Sequence, residues 1–94
     1  MKFAYIIMGP FDPIVDRKCI GKNNNAQIIG VRNLEMAKDI AIKLKKEDID
    51  VIELCGAFEE RGAKEIIKAT NNEIPIGFVS HFKEQDDMFK KLFG

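Results

Sequence analysis

Val51-Ile52-Glu53-Leu54-Cys55-Gly56, followed by Ala57-Phe58-Glu59-Glu60 and a helical pattern to about residue 70, decides the fold. The first five residues are apolar apart from one carboxylate and are rich in β-formers, so they read as a strand over 51–55. From residue 58 the period changes. Phe58, Ala63, Ile66, Ile67 and Ala69 fall on one half of a helix, with Glu59, Glu60, Lys64 and Lys68 largely opposite. Asn71-Asn72 stops that helix, and Pro75 opens a second apolar run over 75–80, Ile76-Gly77-Phe78-Val79-Ser80. Strand, helix, strand at this spacing is a right-handed crossover between parallel strands.

The same alternation extends in both directions. Residues 2–8 are almost wholly apolar, the pattern of a strand covered on both faces. Lys18-Cys19-Ile20, Asn23-Asn24-Asn25 and Gln27-Ile28-Ile29-Gly30-Val31 read as a hairpin inside an otherwise aperiodic stretch. Asn33 is an N-cap for a helix whose Leu34, Ala37, Ile40, Ala41 and Leu44 share a face. Met36 and Ile42 widen that face beyond what one sheet contact needs, which points to a second copy of the protein as its partner. A last helix over 84–93 places Met88, Phe89, Leu92 and Phe93 together. The expected fold is one compact α/β domain over residues 1–94. It has a mainly parallel sheet of four or five strands, mixed by the hairpin, and three helices.

Bulk composition narrows the function classes. Ninety-four residues make one domain, and 46% hydrophobic content with seven phenylalanines suits a packed core rather than disorder. Fifteen basic residues balance fifteen acidic ones, so net charge favours neither nucleic acid nor an anionic membrane as partner. The apolar opening meets Gly9-Pro10 too early for a transmembrane span or a signal peptide. Two cysteines cannot form a secreted disulfide framework, and a reduced, cytoplasmic protein is expected. Neither Gly-x-Gly-x-x-Gly nor a Walker-type ending occurs, so no nucleotide cofactor is expected.

Ligands on open α/β sheets sit beyond the carboxyl ends of the strands. Three strand exits deliver polar residues there: Asp12, Glu53 with Cys55, and Ser80 with His81. Asp12, Glu53, Ser80 and His81 are the ligand-binding candidates, and Glu53, Cys55 and His81 the catalytic ones. Cys55 precedes a helix start, where a thiolate gains acidity, but Glu59 and Glu60 offset the dipole and free cysteine is usually packed. His81 is the sole histidine and suits a general base, or equally a surface or capping role. No His-x-x-x-His or Cys-x-x-Cys spacing supports a metal. Glu53 interrupts an apolar strand, where a carboxylate is costly unless paired or solvated. Its alternatives are a buried pair with Arg17, Arg32 or Arg61, an edge strand with one wet face, or a site.

Met8-Gly9-Pro10-Phe11-Asp12, Glu53-Leu54-Cys55-Gly56-Ala57-Phe58 and Ile74-Pro75-Ile76-Gly77 resemble a family of short prokaryotic α/β proteins of unknown function. The resemblance covers nearly the whole chain and implies a stand-alone domain, with no activity or residue role to carry over. Three functions remain in view. The first is a small-molecule-binding module with its pocket at the strand carboxyl ends. The second is a small lyase-, isomerase- or hydrolase-type enzyme using Glu53, Cys55 or His81. The third is a structural or regulatory homo-oligomer.

Overall fold

The computed structural model describes residues 1–94. Five strands, β1 (Phe3–Met8), β2 (Arg17–Ile20), β3 (Ala26–Val31), β4 (Val51–Leu54) and β5 (Ile76–Phe78), form one sheet in the order β2-β3-β1-β4-β5. Every neighbouring pair is parallel except the β2–β3 hairpin. Three helices complete the chain: α1 (Leu34–Lys46), α2 (Glu59–Ala69) and α3 (Asp86–Phe93), with 3-10 turns at Gly56–Phe58 and Lys83–Gln85. The expected mixed, mainly parallel α/β fold with three helices is the observed one. No helix is long and apolar enough to cross a membrane.

Local chemistry accounts for the element ends. The Asn33 side chain accepts the Met36 N–H at 2.9 Å and starts α1. Asp48 takes φ +63° after that helix, and the Ile49 N–H returns to the Leu44 carbonyl, a left-handed cap made without glycine. Asn71 and Asn72, both at positive φ, end α2, and the buried Thr70 hydroxyl donates to the carbonyls of Ile66 and Ile67.

The core lies on one side of the sheet. Ala4, Ile6, Ile29, Val31, Ile52 and Leu54 point toward α1 and α2, whose Ala37, Ala41, Leu44, Ala63 and Ile66 meet them. Met36 also packs against this cluster, whereas Ile42, the other residue that widens the arc of α1, is exposed.

The other face is bare, contrary to the expectation that β1 is covered on both sides. Burial alternates along it: Ala4 and Ile6 are sealed while Phe3, Tyr5 and Ile7 are only half-buried. The cause is topological. Both crossovers run the same way, from β3 past β1 to β4 and from β4 to β5, so right-handedness deposits α1 and α2 side by side on one face. The reverse leg, from β1 to β3, is made by the β2 hairpin and brings no helix. The amphipathic α3 does not fill the gap. None of its residues is buried, and it packs chiefly against the turn that precedes it.

Candidate functional site

Glu53 lies on the bare face, on β4, one strand in from the β5 edge. Register places Tyr5 beside it on β1 and Gly77 beside it on β5. The Glu53 carboxylate folds over Gly77, where a Cβ would collide with both of its oxygens. It has no partner in the chain. The ion pairs are Lys38 with Glu35 and Glu65, Lys45 with Glu73, and Lys64 with Glu60, and His81 contacts Asp86. Arg17 instead donates to the Gln27 side chain, at 2.9 and 3.2 Å. Of the structural explanations for Glu53, the arginine pair is absent and one half-wet face is present. An edge strand is excluded, since β4 lies between β1 and β5.

Tyr5 is the member of this group that sequence reasoning missed. Its phenol is pushed above its ordinary value of 10.0, first by burial and then by Cys55 and Glu53 nearby. It therefore keeps its proton and can donate a hydrogen bond across the neutral range. Strand alternation could have put Tyr5 on the face opposite Ala4 and Ile6. Only the register puts it next to Glu53.

Cys55 closes the crevice where the sheet's connections diverge, between the ends of β1 and β4. Its N–H donates to the Ile6 carbonyl, and its thiol accepts the Met8 N–H at 3.3 Å. The sulfur thus stands in for the missing ladder carbonyl while the side chain packs against the core. This crevice is the usual ligand position on an open α/β sheet, and here the Cys55 thiol is engaged there by the Met8 N–H. Just beyond it, Glu59 enters α2 with φ +58° and ψ 179°, a conformation costly for any residue with a Cβ.

Asp12 serves its own turn. Its carboxylate accepts the Ile14 N–H at 2.9 Å, and its N–H donates to the Asp16 carboxylate at 2.8 Å. Phe11 lies across Gly9 and Gly30 and seats this loop on the end of the bare face. His81 is committed elsewhere. Its Nε2 is 2.7 Å from Asp86 Oδ1, and its ring stacks on Phe89 at 3.9 Å between centroids. Ser80 is exposed between β5 and that pair. The structure thus gathers Tyr5, Glu53 and Cys55, and leaves Asp12 in a turn and His81 on the arm bearing α3.

No three of the histidine, cysteine, aspartate and glutamate side chains converge as a metal-binding group. A partly apolar depression of about 370 Å³ lies at the amino ends of the strands, lined by Met1, Phe3, Ile20 and Ala26 with Gly21, Lys22, Asn23 and Asn25 of the hairpin turn. A larger concavity of about 480 Å³ runs along α2 and has only charged walls: Glu60, Arg61, Lys64 and Glu65.

Comparison with known proteins gives a family and no activity. No curated protein and no solved structure matches the chain. The model of one family of unknown function, DUF6506, matches residues 1–94, and the chain belongs to that family.

Proposed function

We propose that the protein is a small-molecule-binding module whose ligand rests on the bare sheet face over Tyr5 and Glu53. One observation carries the reading: a half-buried carboxylate on the bare sheet face, without a protein partner. Partial desolvation makes such a group seek a donor, and an ammonium or N–H of a ligand supplies one. Gly77 leaves the carboxylate its place, the Tyr5 phenol adds a second polar contact, and the flanking Phe3 and Ile7 suit an apolar body. The proposed site therefore lies on the face rather than in the strand-end crevice, where the Cys55 thiol is already engaged by the Met8 N–H.

The rival enzymatic reading is weakened because His81 is engaged by Asp86 and Phe89, which leaves Glu53 and Tyr5 as its acid–base pair. The cysteines, both free with Cys19 exposed, favour a reducing cytoplasmic setting.

The test is a thermal-shift screen with small primary amines, amides and carboxylates, on wild type and Glu53→Gln. A ligand at a hundred times its Kd adds about 2.7 kcal/mol, roughly 10–20 °C for a chain of this size. Amine-bearing compounds are expected to stabilise the wild type and to lose most of that effect on the variant. A wild type that responds to no compound, or a variant that responds equally, overturns the reading.

A further inference from the structure

Two apolar surfaces of this chain lack a cover. One is the bare sheet face, where Ile20 is 49% and Ile28 37% exposed beside the half-buried Phe3, Ile7 and Val51. The other is α3, with Leu92 and Phe93 each 80% exposed, Met88 55%, and Phe82 just before it 79%. An eight-residue helix is not stable alone in water and needs a surface to lie on.

We propose that α3 of one copy lies across the bare sheet face of a second copy, and the reverse, in a two-fold exchange. It seats on the β2–β3–β1 half, over the depression lined by Met1, Phe3, Ile20 and Ala26. The area supports a second copy as the occupant. A compact monomer of 10.7 kDa exposes about 5,500 Å² by the scaling of surface with mass, whereas this chain exposes 6748 Å². The excess is about 1,200 Å² per chain, so a pair that removed it would bury about 2,400 Å² in total. That exceeds the roughly 1,600 Å² of an ordinary stable complex and lies in the range of permanent homodimers. A two-fold exchange spends both surfaces at once, since each copy gives a helix and receives one.

The arm is also built to reach outward. His81 binds Asp86 and stacks on Phe89, and Phe89 stacks on Phe93 with centroids 6.1 Å apart. These contacts fasten α3 to the segment leaving edge strand β5 rather than to the chain's own sheet. Lys18 shares the bare face with Ile28 by register and Lys22 lines the depression; on the arm Glu84, Asp86 and Asp87 are balanced by Lys83, Lys90 and Lys91, so the seat is apolar rather than charge-driven. Glu53 and Gly77 lie on the β4–β5 half, and Phe3, Tyr5 and Ile7 of β1 border both surfaces; the exchange rests on exposed apolar area and not on the Glu53 carboxylate.

Sedimentation equilibrium of the full chain tests this, with Leu92→Asp/Phe93→Asp altering the helix and Ile28→Lys altering the sheet. All three positions are exposed, and circular dichroism checks that each variant stays folded. The wild type is expected at twice the chain mass, with each variant's dimer dissociation constant raised at least about a hundredfold, as loss of a central apolar anchor implies. A mixture of the two variants should regain a dimer, because one sound helix still meets one sound sheet. A monomeric wild type overturns the proposal, whether its α3 folds back on its own sheet or binds lipid vesicles instead. A dimer indifferent to both variants, or variants that fail to complement, overturns it equally.

Discussion

Replacing Gly30 with alanine is expected to destabilise the protein through a backbone-anchored collision. Gly30 is buried in β3, and a Cβ there would stand 2.7 Å from Phe11 Cβ and 2.9 Å from Phe11 Cγ. Relief to ordinary carbon contact, about 3.5–4.0 Å, requires Phe11 to move by about 1 Å. Rotation cannot achieve this, because a Cβ moves only with its backbone. The loop is pinned on both sides of Phe11, by the Gly9 N–H on the Val31 carbonyl at 2.9 Å and the Gly30 N–H on the Asp16 carbonyl at 2.8 Å. Overpacking costs about 1–3 kcal/mol, and straining one of these hydrogen bonds adds about 0.5–1.5 kcal/mol. Removing a strand glycine returns about 0.5–1 kcal/mol. The net loss is about 2 kcal/mol, or roughly 8–16 °C in Tm.

Urea unfolding followed by circular dichroism measures it, as a lower midpoint at unchanged m. A double-mutant cycle identifies the cause. Phe11→Gly removes the colliding Cβ and should recover most of the loss. Phe11→Ala keeps that Cβ and should recover less than half. Wild-type stability of Gly30→Ala, or equal rescue by the two Phe11 variants, refutes the reasoning.

Tyr5 is the only tyrosine, so alkaline absorbance titration reads it directly, and its midpoint should exceed 10.0 and move downward in Glu53→Gln. Because the folded value lies above the unfolded one, the phenol's contribution to stability is complete below the unfolded value and is lost as pH rises through the folded value. A midpoint at or below 10.0 contradicts the burial assigned to Tyr5. In native protein, a thiol reagent should modify exposed Cys19 quickly and Cys55 slowly. Cys55→Ala, which leaves the Met8 N–H without its acceptor, should cost about 1–3 kcal/mol, and Cys55→Ser clearly less; equal losses would remove the hydrogen bond from the account. Glu59→Gly should gain about 1 kcal/mol by relieving the φ +58° strain, and a loss of that size would mean that the glutamate side chain matters more than its backbone.

Most of the fold was legible because its signals are local. Asn33 caps α1 through a bond three residues away, Asn71 and Asn72 tolerate positive φ where α2 must end, and Gly21 and Asn24 do the same in the hairpin turn. Apolar spacing placed the helices to within two residues. The site was legible only in part. Glu53 is conspicuous in the sequence because a carboxylate within an apolar strand is costly, and it does lie unpaired on a half-wet face. Asp12 and His81 carry the same chemistry on paper, yet their nearest partners, Ile14, Asp16, Asp86 and Phe89, lie within eight residues and engage them.

By itself the sequence determined the elements, their order and the parallel crossovers, since propensity, capping and handedness act over a few residues or one unit. Tertiary structure alone decided which faces meet. Two crossovers in the same direction put both helices on one side, so apolar residues that read as doubly covered stand half-bare. Strand register then set Glu53 between Tyr5 and Gly77, from segments nearly fifty and about two dozen residues away, a juxtaposition that no local period encodes.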